Sequence, residues 1–412
     1  MSAPDPFDFD RPGDPPYQLQ PIKPTAEHAA PRPFRGKVLI QTLHDGAAIP
    51  ARYRFAPDGN PRVDPELLRQ RFSEERDWGA NLVAEQIASA LGLRGYGRCR
   101  VARALVDFNR FPGSTPDNHL ELMDRQAINF PFSSALVHEE KLEVLERYYD
   151  GTSALLEQHM ANKTIILSVH TYDERHPSHT RRADVSLVHL PRNYQREARM
   201  PYGVFDPLYP DQLAESTCSR ILRDRISLNL ERSGIRVIHN HPYAATEGSI
   251  EVRSQIWFFF RFLRRRFENA FGNTADKGAY QWVWKMLLNT NLRHQDGEAL
   301  RGYLHRYREV PRTSVKRYRD ARRAYEHVKS FLDESSVVSD FRHSRSRPSS
   351  LGLEVRKDLV CELDPVTRAP ARIKPEQVEA ARLIGKVVAS AISIYFDTDR
   401  PVYLEDDKGT PR

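Results

Sequence analysis

Residues 164–170, TIILSVH, form a short apolar run closed by a histidine, and residues 37–44, KVLIQTLH, repeat that arrangement early in the chain. Such runs fit strands, and a polar residue directly after each stands at a sheet rim, where α/β enzymes assemble their sites. A third run, RVARALVDF at 100–108, leads into Asn109 and Arg110. Read as a strand, it puts Asp107 and Asn109 on one face and Arg110 at its exit, because side chains alternate. Two histidines, an acid and a guanidinium would then meet on one rim.

Outward from these runs, helical spacing at about 76–92, 139–161 and 211–233 alternates with further strand-like stretches, VSLVHL (185–190) and IRVIHN (235–240). This alternation predicts a three-layer α/β/α fold around a mixed, largely parallel sheet. SIEVR (249–253) reads as one more strand, feeding a long helix that begins near Gln255. From about Lys277 to Glu334 the pattern is helical and charged, with Trp282, Trp284, Leu287 and Leu288 as its buried face. Ser335 to Ser350 is Ser/Arg-rich and aperiodic, which marks an exposed loop. EVRKDLVCELD (354–364) reads as a strand pair, and KPEQVEAARLIGKVVASAISIYF (374–396) as a helix with Pro375 in its first turn. The expected organisation is a disordered Pro-rich tail at 1–35, a catalytic domain at 36–275, and a helical extension at 276–412 with the Ser/Arg-rich loop at 335–350. That extension is read as an appendage outside the chemistry.

The 412 residues are 40% apolar, yet no run approaches the roughly 20 apolar residues of a membrane helix. The start, MSAPDPFDFDRPGDPP, lacks the basic and apolar regions of a secretory signal, so a cytoplasmic protein without a membrane partner is expected. Cys99, Cys218 and Cys361 are far apart and contain no CxxC pair, which excludes a disulfide framework or a thiolate metal site and leaves them as packing residues. The net charge is +7, with basic runs at RFLRRR (261–266) and RHSRSR (342–347). Phe260, Leu263 and Phe267 thread the first run at helical spacing, so it reads as the solvated face of a half-buried helix. No helix-turn-helix, zinc-finger or RNP pattern accompanies it, and nucleic acid is not the expected partner.

Imidazole and carboxylate are zinc ligands, and a catalytic site takes three of them with a water in the fourth position. His44 and His170 supply two, and Asp77 or Glu74 is the nearest acid in sequence to His44. The planar fork of Arg110 suits bidentate recognition of a carboxylate. IHNHPYAATEGSIEVR (238–253) brings His239, His241, Tyr243, Glu247 and Glu251, among which a carboxylate can act as general base. Together these residues point to a mononuclear metal hydrolase acting on a substrate with a free carboxylate.

In order, HDGAAIP, RDWGANLVAEQIASAL, ARALVDFNRFPG, TIILSVHTY and NHPYAATEGSIEVRSQIW resemble the N-formylglutamate amidohydrolase family, of zinc carboxypeptidase-like fold, from about Lys37 to Arg264. The resemblance implies His44, Asp77 and His170 as ligands of one Zn²⁺, with Glu74 as the fallback acid. It also implies Arg110, with Asn109 beside it, as the holder of a substrate carboxylate, and Glu251 as the base that deprotonates the water, Glu247 being its rival. The activity implied is hydrolysis of an N-formyl or N-acyl amide in a small-molecule or peptide substrate. Two departures stand out: Asp45 replaces the usual Ser after the first histidine, and Ala244-Ala245 replaces the usual Gly-Gly. They open the alternative of an inactive relative that serves as a binding or maturation partner. The oligomeric state is not legible in the sequence.

Overall fold

The computed structural model describes residues 14–23, 33–110, 112, 127–175, 179–192, 206–246, 248–272, 274, 277–290, 295–305, 314–364, 370 and 373–398. Seven strands form one sheet: β1 (Tyr17–Pro21), β2 (Val38–Thr42), β3 (Gly95–Cys99), β4 (Ile165–Tyr172), β5 (Val185–Val188), β6 (Val237–His239) and β7 (Ser349–Arg356). Their order is β1-β3-β2-β4-β7-β5-β6. The β2–β3, β2–β4, β4–β7 and β5–β6 pairs are parallel, while β1–β3 and β5–β7 are antiparallel. The sheet is therefore mixed and largely parallel, as the alternation of runs predicts.

Eleven helices matter below: α1 (Pro65–Glu75), α2 (Ala80–Ala90), α3 (His138–Val144), α4 (Gly151–Met160), α5 (Arg220–Arg232), α6 (Ile250–Phe271), α7 (Gly278–Leu287), α8 (Gln295–Leu304), α9 (Val315–Glu334), α10 (Val337–His343) and α11 (Pro375–Thr398). Alternation along the strands divides the core in two. Val38, Ile40, Ile165, Leu167, Val169, Leu351, Leu353 and Val355 face α2, α5 and α11. Leu39 and Ile166 face the opposite way, into the core that α4, α6, α7 and α9 share. Helices on both faces complete the three layers. Among the described residues no helix is long and apolar enough to cross a membrane, and the three cysteines are free and buried.

Several sequence expectations are corrected. Part of the supposed tail is β1, an edge strand paired with β3, where Pro21 at the strand end is tolerated because an edge needs fewer donors. The third strand is GYGRC (95–99), earlier than RVARALVDF. Residues 103–110 turn instead, with the N–H groups of Leu105 and Val106 both donating to the Ala102 carbonyl. Leu105, Val106 and Phe108 are buried all the same, and their apolar character is what imitated a strand. SIEVR is the first turn of α6, because Ser249 caps the helix through a bond from the Val252 N–H (3.5 Å). The Ser/Arg-rich stretch contains α10 and opens β7.

The C-terminal region is helical as expected but is not only that. β7 enters the middle of the sheet between β4 and β5, so the sheet does not respect a division at residue 275. The basic run at 261–266 lies on α6 with Phe260, Leu263 and Phe267 buried behind it. Within it Arg264 pairs with Glu268 (2.7 Å) and Arg266 with Asp340 (2.6 Å).

Candidate active site

His44 lies just past β2, and His170 lies within β4. Because β2 and β4 are parallel neighbours, the backbone ladder brings the two imidazoles together, with ring centroids 4.9 Å apart. Gly46 serves the His44 loop by close approach: a Cβ there would lie 2.3 Å from the Val101 carbonyl oxygen. Asp77 sits between α1 and α2, where its N–H donates to the His44 carbonyl (3.0 Å) and its carbonyl accepts from Ala80 (3.1 Å). Gly79 follows in the left-handed region (φ 86°) that favours glycine.

Asp77 Oδ2 accepts from His170 Nδ1 at 2.8 Å and lies 3.5 Å from His44 Nδ1. One ligand atom from each of His44, Asp77 and His170 lies within 4.8 Å of the others, and all three side chains are buried. Burial alone would push the Asp77 carboxyl up. The hydrogen bond from His170 and the charge of both rings outweigh it and hold the group well below the usual carboxylate range. Burial likewise pulls His170 down, but its bond to Asp77 raises it to about 9. The cluster therefore favours positive charge between one carboxylate and two rings, and a mixed nitrogen and oxygen donor set suits a zinc-like cation. His44 Nε2 is held by Asp107 Oδ1 at 3.1 Å, the carboxylate support that histidine ligands usually carry. On these observations His44, Asp77 and His170 fit a divalent metal.

One wall of the site is organised by Asp107, which is buried. It holds His44, accepts from the Asn109 N–H (2.9 Å), and receives Nε of Arg103 (3.0 Å) and of Arg110 (2.9 Å). Burial would raise the Asp107 carboxyl, yet Arg103, His44 and Arg110 keep it well below the usual range. Asp107 and Asn109 do not share a strand face, since this segment turns. Arg103 also approaches Asp77 Oδ1 (3.9 Å). Sequence reasoning passed over Arg103, although the spacing of Arg103, Asp107 and Arg110 fits a turn folded around one carboxylate.

A cavity of about 230 Å³ gathers His44, Asp77, His170, Asn109, Arg110 and Glu251. Glu74 also touches it but is engaged by Gln70 (2.9 Å) and Arg71 (3.9 Å). Glu247 lies outside the described residues. Glu251 is buried on the first turn of α6, and its Oε1 has no hydrogen-bond partner among the described residues.

A second carboxylate, Glu354, was missed. It stands directly across from His170 in the β4–β7 register, lines the same cavity, and its Oε2 is also unpartnered. Burial raises its carboxyl, partly offset by His170. Gly352, two residues earlier on the same face, also lines the cavity; a Cβ there would lie 3.3 Å from Val188 Cβ and 3.9 Å from Glu251 Oε1, the latter an ordinary contact. The pattern LGLEVR carried the signal, with apolar residues at alternate positions and Glu354 among the others.

The departures from the family pattern have local explanations. Asp45 is buried against Arg98 Nε (2.8 Å) and the Thr42 hydroxyl (2.8 Å) and does not line the cavity. Ala245 bridges to the 190–192 segment by bonds to Leu190 (3.0 Å) and from Arg192 (2.8 Å). Neither Ala244 nor Ala245 has a positive φ, so glycine is not required there.

The family model described as N-formylglutamate amidohydrolase matches residues 36–256. No curated protein matches the chain. Among solved structures it is similar to N-formylglutamate amidohydrolase from Ralstonia eutropha JMP134 (TM-score 0.48, 14% identity, 94% of this chain and 100% of that one). It is also similar to a gene product of Agrobacterium tumefaciens (TM-score 0.43, 14% identity, 92% and 96% of the two chains). Glu354 lies beyond the matched residues.

Proposed function

The chain belongs to the N-formylglutamate amidohydrolase family, and from that premise we propose that it hydrolyses an N-formyl or N-acyl amide beside a carboxylate in an amino-acid or peptide substrate. The observation that carries this is the convergence of His44, Asp77 and His170 in one cavity with Arg110 and two carboxylates, each with an oxygen that has no partner among the described residues. A divalent cation, zinc in our reading, would be held by His44, Asp77 and His170 and would polarise the amide carbonyl and acidify a water.

Arg110, its Nε committed to Asp107, keeps its terminal nitrogens for the substrate carboxylate, with Asn109 beside it as a further donor. Fixing the substrate this way places the amide before reaction and can lower the barrier by several kcal/mol. A carboxylate takes the proton from water and returns it to the leaving nitrogen, giving the free acid and the amine. Glu251 is the carboxylate that the family resemblance singles out. Glu354 is a second reading, favoured by its position across from His170 on a central strand, where the backbone ladder limits its movement.

The test is elemental analysis of the purified protein together with hydrolysis of N-formylglutamate and its α-carboxamide. We expect about one divalent metal per chain, loss of that metal in His170→Ala, and preference for the acid substrate. Equal metal content in parent and variant would remove the ligand assignment. An inactive binding partner, the alternative, predicts no turnover of either substrate.

A further inference from the structure

Between α3 and α4 the chain makes a π-helical turn, Leu145–Asp150, a local widening that recurs at functional positions. It carries Tyr149, which is fully buried. The Tyr149 ring stacks on Phe108 (centroids 5.8 Å apart, interplanar angle 19°). Its hydroxyl donates to the Arg110 carbonyl at 2.7 Å and accepts from Arg253 Nη1 at 3.2 Å. Arg253 is itself buried, lies on the first turn of α6 with Glu251, and donates through Nη2 to Ser153 on α4 at 2.8 Å. The neighbouring carbonyl, that of Asn109, accepts from the Thr246 hydroxyl.

We infer that Tyr149, backed by Arg253, is a positioning residue that fixes the Arg110 backbone and so aims its guanidinium at the substrate carboxylate. The segment 103–110 has no strand or helix to hold it; several of its N–H groups bond to backbone carbonyls within the turn and at Ala127, whereas the carbonyls of Asn109 and Arg110 are satisfied by side chains. Asp107 fixes one end of Arg110 through Nε, and Tyr149 fixes the other through the carbonyl. An arginine held both at its backbone and at Nε presents its terminal nitrogens to a planar carboxylate without first ordering itself. A hydroxyl that accepts from a buried cation is also a stronger donor to the carbonyl than an isolated phenol.

This role rests on Arg110 being the carboxylate anchor, and a double-mutant cycle in the full-length protein separates the two. Tyr149→Phe keeps the ring stack and removes only the hydroxyl. With N-formylglutamate we expect its KM to rise about tenfold, the scale of one buried hydrogen bond, with kcat within about twofold. With the α-carboxamide the KM should not move. In an Arg110→Ala background, Tyr149→Phe should add nothing, because its effect passes through Arg110. Glutamate affinity by calorimetry should weaken in parallel, a readout independent of turnover. Arg253→Lys, which retains the charge but not the fork, should shift KM in the same direction and by less.

A Tyr149→Phe effect equal for acid and amide, or undiminished in the Arg110→Ala background, overturns the positioning role while leaving Arg110 as anchor. If Arg110→Ala itself fails to discriminate acid from amide, the anchor assignment falls first and the positioning role with it.

Discussion

His44 and His170 reach the cavity from β2 and β4, neighbours in a parallel ladder, whereas Arg103, Asn109 and Arg110 reach it from a turn without any ladder. The floor of the site is thus set by backbone hydrogen bonds that would form whatever the side chains, within limits. The wall is set by side chains, chiefly the one buried carboxylate of Asp107 with its four partners. A floor of this kind tolerates loss of a single side chain, while a wall of this kind concentrates its stability in one residue.

Asp107→Ala should sharpen that contrast most. It leaves two guanidinium groups and His44 without their shared acceptor, and breaking a buried ion pair costs about 3–5 kcal/mol. Chemical denaturation should show a loss on that scale, against a smaller one for His170→Ala. Equal losses would mean that floor and wall are not differently built.

The next largest effect is expected in catalysis. Replacing the carboxylate that takes the proton by its amide should lower kcat by about 10² or more with metal content retained. Glu354→Gln and Glu251→Gln, measured side by side, assign the base. A large loss in Glu354→Gln places the base on the sheet with the floor, whereas one in Glu251→Gln places it on α6. Full activity in both would remove carboxylate base catalysis from the mechanism.

Arg110→Ala should raise KM for acid substrates by about tenfold or more, the scale of a lost charge-assisted contact, and leave their amides nearly unchanged. Arg110→Lys should recover part of the loss, since an ammonium lacks the two-pronged fork. Full recovery by lysine would mean that only charge matters at the wall.

The last effect lies behind the wall and outside the chemistry. Burial pushes the Glu157 carboxyl up to about 7 from an ordinary 4.5, with Arg253 opposing. The unfolded chain therefore ionises first, and folding stability should fall as pH rises from about 4.5 to about 7, then level off. Glu157→Gln should flatten that slope in denaturation measured across the interval. An unchanged slope would place its origin elsewhere.

The runs ending at His44 and His170 were legible because an apolar strand followed by a polar residue is a local pattern; that the two strands pair in parallel is a fact of the tertiary structure. Alternation of runs gave the layers for the same reason. The resemblance to a known family singles out Asp77, Asn109, Arg110 and Glu251, and all four line one cavity with His44 and His170. Other features depended on partners distant in sequence. RVARALVDF is as apolar as a strand, yet it turns, because burial of Leu105, Val106 and Phe108 is available to a turn packed on helices as well as to a sheet. SIEVR carries β-branched residues, but the Ser249 cap makes it helical. Glu354 follows a Ser/Arg-rich stretch that reads as loop, and only the insertion of β7 between β4 and β5 brings it across from His170. Local periodicity reports which face a residue takes. Which strands become neighbours depends on contacts between distant segments, and that is where the second carboxylate and the support behind Arg110 were decided.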